Sequence, residues 1–274
     1  MEMKAMIREP YFAGSFYEGK TEALRAGMDL CFAGKKKDAE KIRPKMLLLP
    51  HAGHVYSGPV IAETLSRVDL PKRMIILCPS HTGRGKHLGV WPAGSWKIPG
   101  AEIPVDAELA DALTKGGHFV PDMECHKGEH SAEVLLPFLL RQRPDMTFVP
   151  AVLSSLKGIA DAARDLAAVL RDASGGSTPC VVVSSDMNHY ADDAETRRKD
   201  GLAVEKLLAL DAQGLLDTVR DNNISMCGIL PALAAIMAIR ENGAVHAELA
   251  AYDTSASAFG EKRRCVGYAG VIAY

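Results

Sequence analysis

The chain has 274 residues, 47% apolar and 24% charged, with 32 Lys+Arg against 34 Asp+Glu and a formal charge of -2. That composition belongs to a folded globular protein and excludes collagen-like and disordered chains. The near-neutral balance gives no whole-protein field that would gather nucleic acid or an anionic membrane, so neither is expected as a partner.

No stretch has the length of a membrane span, and residues 1–10 lack the basic and then apolar pattern of an export signal, so the cytoplasm is the expected compartment. Six scattered cysteines without a CxxC pair indicate neither a zinc knuckle nor a disulfide scaffold. Most are expected to act as small buried apolar side chains.

In chain order, residues 9–17 form an aromatic segment whose glycine and proline argue against a helix, and an ordered arm is expected there. Helical periodicity follows over 21–32. Lysines 35–37, closed by Asp38 and Glu40, read as a solvated turn. A buried strand over 46–49 ends at Pro50, a helix is predicted over 59–68, and a second apolar strand over 73–78 ends at Pro79. Residues 87–105, rich in glycine and proline and holding both tryptophans, suggest short antiparallel strands or a long loop over an edge.

Helices are predicted over 106–116, from an acidic cap, and over 129–143, where Pro137 should bend or interrupt the turn. A strand over 146–153 and an alanine-rich helix over 158–172 lead to the loop Ser174-Gly175-Gly176-Ser177 and a strand over 180–184. Helices over 194–210, 212–221 and 229–241 precede strand-like segments at 247–252 and 266–274. This alternation predicts a single three-layer α/β domain over 1–274, its central sheet mostly parallel or mixed and flanked by helices.

Three apolar strands run directly into polar chemistry: Pro50-His51-Ala52-Gly53, Pro79-Ser80-His81, and Ser185-Asp186-Met187-Asn188-His189. If those strands are parallel, their carboxyl ends share one edge, and the residues converge in the crevice where open α/β folds bind ligands. A fourth piece, Ser225-Met226-Cys227-Gly228, precedes an apolar helix whose free N–H groups and dipole would favour a thiolate. His51, His81 and Cys227 would make a three-ligand set open to water, substrate or oxygen, suited to iron, copper or zinc. Asp186 and His189 are the candidate acid–base or ligand-orienting pair.

His54 is an alternative ligand by proximity to His51. On the predicted helix Glu129 and Glu133 share a face and His130 turns away, so Glu129 and His130 are candidate pocket residues, with capping or solvation the alternative. The chain has no HExxH, GxGxxG or Walker lysine loop and no GxSxG elbow, which argues against zincin, dinucleotide, P-loop and serine-hydrolase chemistry.

At these residues the chain resembles the Memo family, whose prokaryotic members are called AmmeMemoRadiSam system protein B. The resemblance is carried by Ala13-Gly14-Ser15-Phe16-Tyr17, Pro50-His51-Ala52-Gly53, Pro79-Ser80-His81, Glu129-His130-Ser131-Ala132-Glu133, Ser184-Ser185-Asp186-Met187-Asn188-His189, Ile224-Ser225-Met226-Cys227-Gly228 and Val266-Gly267-Tyr268-Ala269-Gly270. It implies a fold similar to LigB-type class III extradiol dioxygenases, a site at His51, His81 and Cys227 with Asp186 and His189 beside it, and iron first among metals, with copper or zinc as alternatives. Cysteine in place of the dioxygenase glutamate means that ring cleavage does not transfer with the fold.

The expected function is thus a non-heme metal-dependent redox protein, a dioxygenase-like oxidoreductase acting on an unknown small molecule. The resemblance also implies radical-SAM and AMMECR-type protein partners. The alternatives are a metal-containing partner in such a modification system, or a peptide- or phosphate-binding module without catalysis of its own.

Overall fold

The computed structural model describes residues 6–35, 40–173 and 178–274. Of the expected lysine turn, residues 36–39 lie outside the described residues, while Lys35 pairs with Glu63 at 2.7 Å. The loop predicted over 174–177 also lies outside them.

The elements in chain order are β1 (Ile7–Arg8), α1 (Thr21–Phe32), β2 (Met46–Leu49), α2 (His54–Ser66) and β3 (Arg73–Cys78). Three short strands, β4 (Leu88–Val90), β5 (Ser95–Ile98) and β6 (Ala101–Pro104), precede α3 (Ala107–Thr114) and β7 (Val120–Pro121). Next come α4 (Leu136–Gln142), β8 (Thr147–Leu153), α5 (Ile159–Asp172), β9 (Cys180–Ser184) and β10 (His189–Ala191). Helices α6 (Asp193–Leu208), α7 (Ala212–Asp221) and α8 (Ile229–Glu241) lead to β11 (Ala247–Thr254), the short α9 (Ala256–Phe259) and β12 (Cys265–Ala273).

Aspartates start three of the helices. Asp106, Asp192 and Asp211 each accept the N–H three residues on, at 3.0, 2.8 and 2.9 Å, satisfying a donor that the first helical turn leaves free.

The main sheet has the order β10-β12-β2-β9-β3-β8-β4-β7, with β11 paired to β12. Its centre, β2, β9, β3 and β8, is parallel, whereas β12 and β4 run antiparallel to it on either side. The sheet is therefore mixed around a parallel core, within the range the pattern predicted. Successive side chains of the central strands alternate between faces. Leu48, Ile75, Leu77, Val181 and Val183 pack under α3 and α5 to α8, while Leu47, Leu49, Ile76 and Val182 pack under α1, α2 and α4. No described helix is long and apolar enough to cross a membrane.

Two predicted helices begin elsewhere. α2 starts at His54, before the predicted residue 59, and holds Pro59 in its interior. The helix predicted over 129–143 is confined to Leu136–Gln142, after a 3-10 turn at Glu133–Leu135. Pro137 lies in its first turn, where the missing N–H costs nothing and the fixed φ suits helix entry, so it starts the helix rather than bending it. Residues 129–131 are consequently loop, and the helical geometry that would turn His130 away does not apply.

Candidate metal centre

His51 leaves β2, His81 leaves β3 and Asp186 leaves β9, the strand between the other two. Parallel pairing brings their carboxyl ends to one edge. The backbone N–H groups of His51 and Ala52 donate to Asp186 Oδ1 at 2.8 and 3.2 Å, so this buried carboxyl shapes the loop that presents His51. Burial, the largest influence, raises Asp186 to about 7 even though those two N–H groups favour its charge.

Proton accounting fixes the His51 tautomer. Ser184 Oγ spends its one proton on the Ser131 carbonyl at 2.6 Å, so it can only accept from His51 Nδ1, 2.7 Å away. The Nε2 lone pair is left for another partner, and Cys227 Sγ lies 3.3 Å from it. Burial, then repulsion from His130 and His81, holds His51 neutral well below the ordinary imidazole range.

His81 is fixed in the same way. Its backbone N–H and Nδ1 donate to the two carboxylate oxygens of Glu129, at 2.6 and 2.8 Å, and a carboxylate can only accept. Ser131 adds N–H and Oγ donors to Glu129 at 3.1 and 2.7 Å. Burial works to raise Glu129, but the His81 and Ser131 donors together hold it down to about 2, so it is ionised.

The third imidazole is His130, whose ring centroid lies 4.4 Å from that of His81 and 5.1 Å from that of His51. Burial and the neighbouring His81 push it down to about 4. One ligand nitrogen from each of His51, His81 and His130 falls within 4.8 Å of the other two. From sequence pattern His130 is only a pocket candidate; the signal for its role is Pro137, whose place in a first turn releases the residues before it from the helix.

The remaining predicted residues lie around this cluster. Cys227 reaches it through His51 and accepts the Asp186 N–H at 3.2 Å. It precedes α8, as expected, yet burial and the Asp186 carboxyl push its thiol up, outweighing what the helix start offers a thiolate. Gly228 permits this placement, since a Cβ there would meet the Ser185 Cβ at 2.3 Å.

His189 donates from Nδ1 to the Ser225 carbonyl at 2.9 Å, leaving Nε2 with a lone pair, and burial lowers its basicity. Asp186 and His189 share no hydrogen bond among the described residues. His54 Nε2 donates to the Val134 carbonyl at 2.8 Å and its ring stacks on Tyr17, so it is anchored in the packing beside the site.

Sequence reasoning missed what holds His130. Phe12 and Phe16 of the arm pack on its ring at 5.4 and 4.6 Å. The arm is tied down by fully buried Glu133, which accepts from Arg8 Nη1 at 2.6 Å, Phe12 N at 2.8 Å, Tyr17 Oη at 2.8 Å and Tyr11 N at 3.1 Å. Arg8 also donates to the carbonyls of His126 and Glu129, joining the arm to the loop that carries His130.

Above the imidazoles opens a cleft of about 570 Å³, lined by His51, His81, His130, Asp186 and His189 and walled by Phe16, Tyr56, Tyr190 and Arg264. The donor set fits a transition metal. Imidazole nitrogens suit iron, copper and zinc, and two of the rings have Nδ1 fixed by a hydrogen-bond acceptor, as ligating histidines do.

Two expected results follow from these contacts. Glu129→Gln cannot accept both His81 donors and lowers metal affinity by about 10–100-fold, read by competition with a chromogenic chelator; an unchanged affinity contradicts the assigned role.

The second concerns metal-free stability. His51, His54, His126 and His130 are held neutral chiefly by burial, at about 4 for His54 and His130 and about 3 for His126. With folded values depressed, the unfolded chain takes protons first. That stability is complete above the ordinary imidazole value of about 6.5 and drains away as pH falls through the folded values. Asp186 and Asp200 oppose this. Burial raises them to about 7 and about 6, so their contribution is present below the ordinary carboxyl value and lost as pH rises through 6 to 7. The four imidazoles outweigh the two carboxyls, and the urea midpoint of metal-free protein should be lower at about pH 5 than at about pH 7. An equal or higher midpoint at the acid pH would contradict this balance.

The family described as Memo-like protein matches residues 8–272. A MEMO1 family protein of Aquifex aeolicus is 34% identical over 267 residues, covering 97% of this chain and 98% of its own. One from Methanobrevibacter smithii is 35% identical over 282 residues, covering 97% and 99%. One from Thermotoga neapolitana is 32% identical over 281 residues, covering 97% and 99%.

Proposed function

Because this chain belongs to the Memo family, we propose that its cleft holds one transition-metal ion, with iron expected and copper or zinc as alternatives, and acts as a dioxygenase-like oxidoreductase on a small substrate. The observation that supports this most is the convergence of the His51, His81 and His130 nitrogens, two of them with tautomers fixed by Ser184 and Glu129. In this reading His51 and His81 are ligands, His130 completes the imidazole set, and Cys227 joins from the side of His51. The whole of 1–274 is read as one Memo-like domain, with a LigB-like sheet behind the site.

When bound, the ion supplies Lewis acidity and, for iron or copper, one-electron chemistry. The chain's residues do the rest. Glu129 and Ser184 keep Nδ1 protonated on His81 and His51, which leaves each Nε2 lone pair free and would let these two residues hold the ion. His189 Nε2 is the proposed proton acceptor on the substrate side, since its Nδ1 is committed to Ser225. Asp186, near the midpoint of its titration at neutral pH, holds the His51 loop and is the proposed proton donor. Phe16 and Tyr56 wall the opening and limit water.

Anaerobic titration with iron(II), followed by oxygen uptake with a panel of small aromatic substrates, tests this reading. One ion per chain, weakened in His51→Ala and His130→Ala and spectroscopically altered in Cys227→Ser, is the expected result. A chain that binds no transition metal under any loading condition overturns it.

A further inference from the structure

At the lip of the cleft, β10 and β12 pair His189 with Val266 and Ala191 with Cys265, so Tyr190 is an extra residue with no partner across the ladder. It is a bulge with φ 65, a backbone conformation that a tyrosine adopts only when its surroundings impose it. Bulges re-aim a side chain, and here Tyr190 stands in the cleft wall as a residue 66% exposed.

Arg264, immediately before β12, lays its guanidinium over that ring, 5.3 Å from the centroid. It is the one lysine or arginine among the described residues lining the cleft. The nearby Glu261 is engaged by Arg263 at 3.3 Å, and Arg264 has no carboxylate partner among the described residues. A fixed cation thus stands at the mouth with its fork of donors open to solvent, stiffened by an aromatic face.

We propose that Tyr190 and Arg264 form a clamp that selects a small organic anion, a carboxylate or phosphate on a flat apolar body, as the ligand of the histidine cleft. Arg264 forks onto the anionic group, Tyr190 holds the guanidinium in place, and Tyr56 and Phe16 flank the body of the molecule. This deepens the functional reading above by naming a ligand class for the same cleft, but the clamp itself contains no metal ligand.

The test is calorimetric titration of the full chain, metal-free and iron(II)-loaded under argon, with benzoate, phenyl phosphate and the neutral benzamide. At least one of the two anions should bind about tenfold or more tightly than benzamide, and which one does so separates carboxylate from phosphate ligands. Arg264→Gln should abolish that preference, Arg264→Lys should restore part of it, and Tyr190→Ala should weaken it. Equal binding of anions and benzamide, a preference intact in Arg264→Gln, or binding of none of the three overturns the clamp. Metal content is measured on the same samples: anion preference without metal binding sinks the metal reading alone, and metal binding without anion preference sinks the clamp alone.

Discussion

Glu133→Ala should destabilise the fold by about 3–5 kcal/mol, because it leaves the Arg8 guanidinium charged, buried and without its carboxylate. Arg8 is 2% exposed and Glu133 0%, so water cannot replace the lost partner. Tyr17 Oη and the Phe12 N–H lose their acceptor in the same step. Urea unfolding of metal-free protein measures the loss.

A second readout separates this node from ordinary packing. Phe12 and Phe16 back the His130 ring, so the variant should also bind metal more weakly although Glu133 touches no ligand atom. The paired replacement Arg8→Met with Glu133→Leu removes both charges and should recover much of the stability. A loss below about 1 kcal/mol in Glu133→Ala would mean that the arm is held by its aromatic packing alone.

His81→Ala has the larger effect on chemistry. It removes one of the three converging nitrogens and the two-point contact from ring and backbone to Glu129 is halved, since only the N–H at 2.6 Å remains. Metal affinity should fall by more than about 100-fold, beyond what loss of an orienting partner causes. The metal-free fold should lose about 1–3 kcal/mol, because Glu129 stays buried with one charged-group hydrogen bond fewer. His246→Ala, remote from the cleft, is the control and should change neither. Full metal occupancy in His81→Ala would remove this residue from the site.

Much of this architecture is legible in the chain because the physics is local. An apolar strand ended by Pro50 or Pro79 and followed at once by histidine requires no tertiary information beyond the assumption of parallel pairing, and β2, β9 and β3 are parallel neighbours. Helices α3, α5, α7 and α8 announce themselves by aspartate caps or apolar periodicity and lie within a residue or two of their predicted bounds.

What the chain conceals depends on contacts between distant segments. His130 is hidden because a helix drawn through residues 129–143 turns it away, and only Pro137 in the first turn of α4 argues otherwise. Ser184 sets the His51 tautomer through a carbonyl 53 positions away, at Ser131, and no spacing rule predicts that bond. The Arg8–Glu133 pair spans 125 positions and joins β1 to the 3-10 turn before α4, a contact that no local spacing predicts. Cys227 was legible in position but not in charge state, because helix-start electrostatics can be read from sequence and burial beside Asp186 cannot.

The most direct test of the metal centre is diffraction from crystals grown anaerobically with iron(II), with anomalous data on both sides of the iron edge. A single strong anomalous peak within bonding distance of His51, His81 and His130, with Cys227 Sγ drawn in from the side of His51, is the predicted result. An empty cleft, or iron bound only elsewhere on the chain, would contradict it.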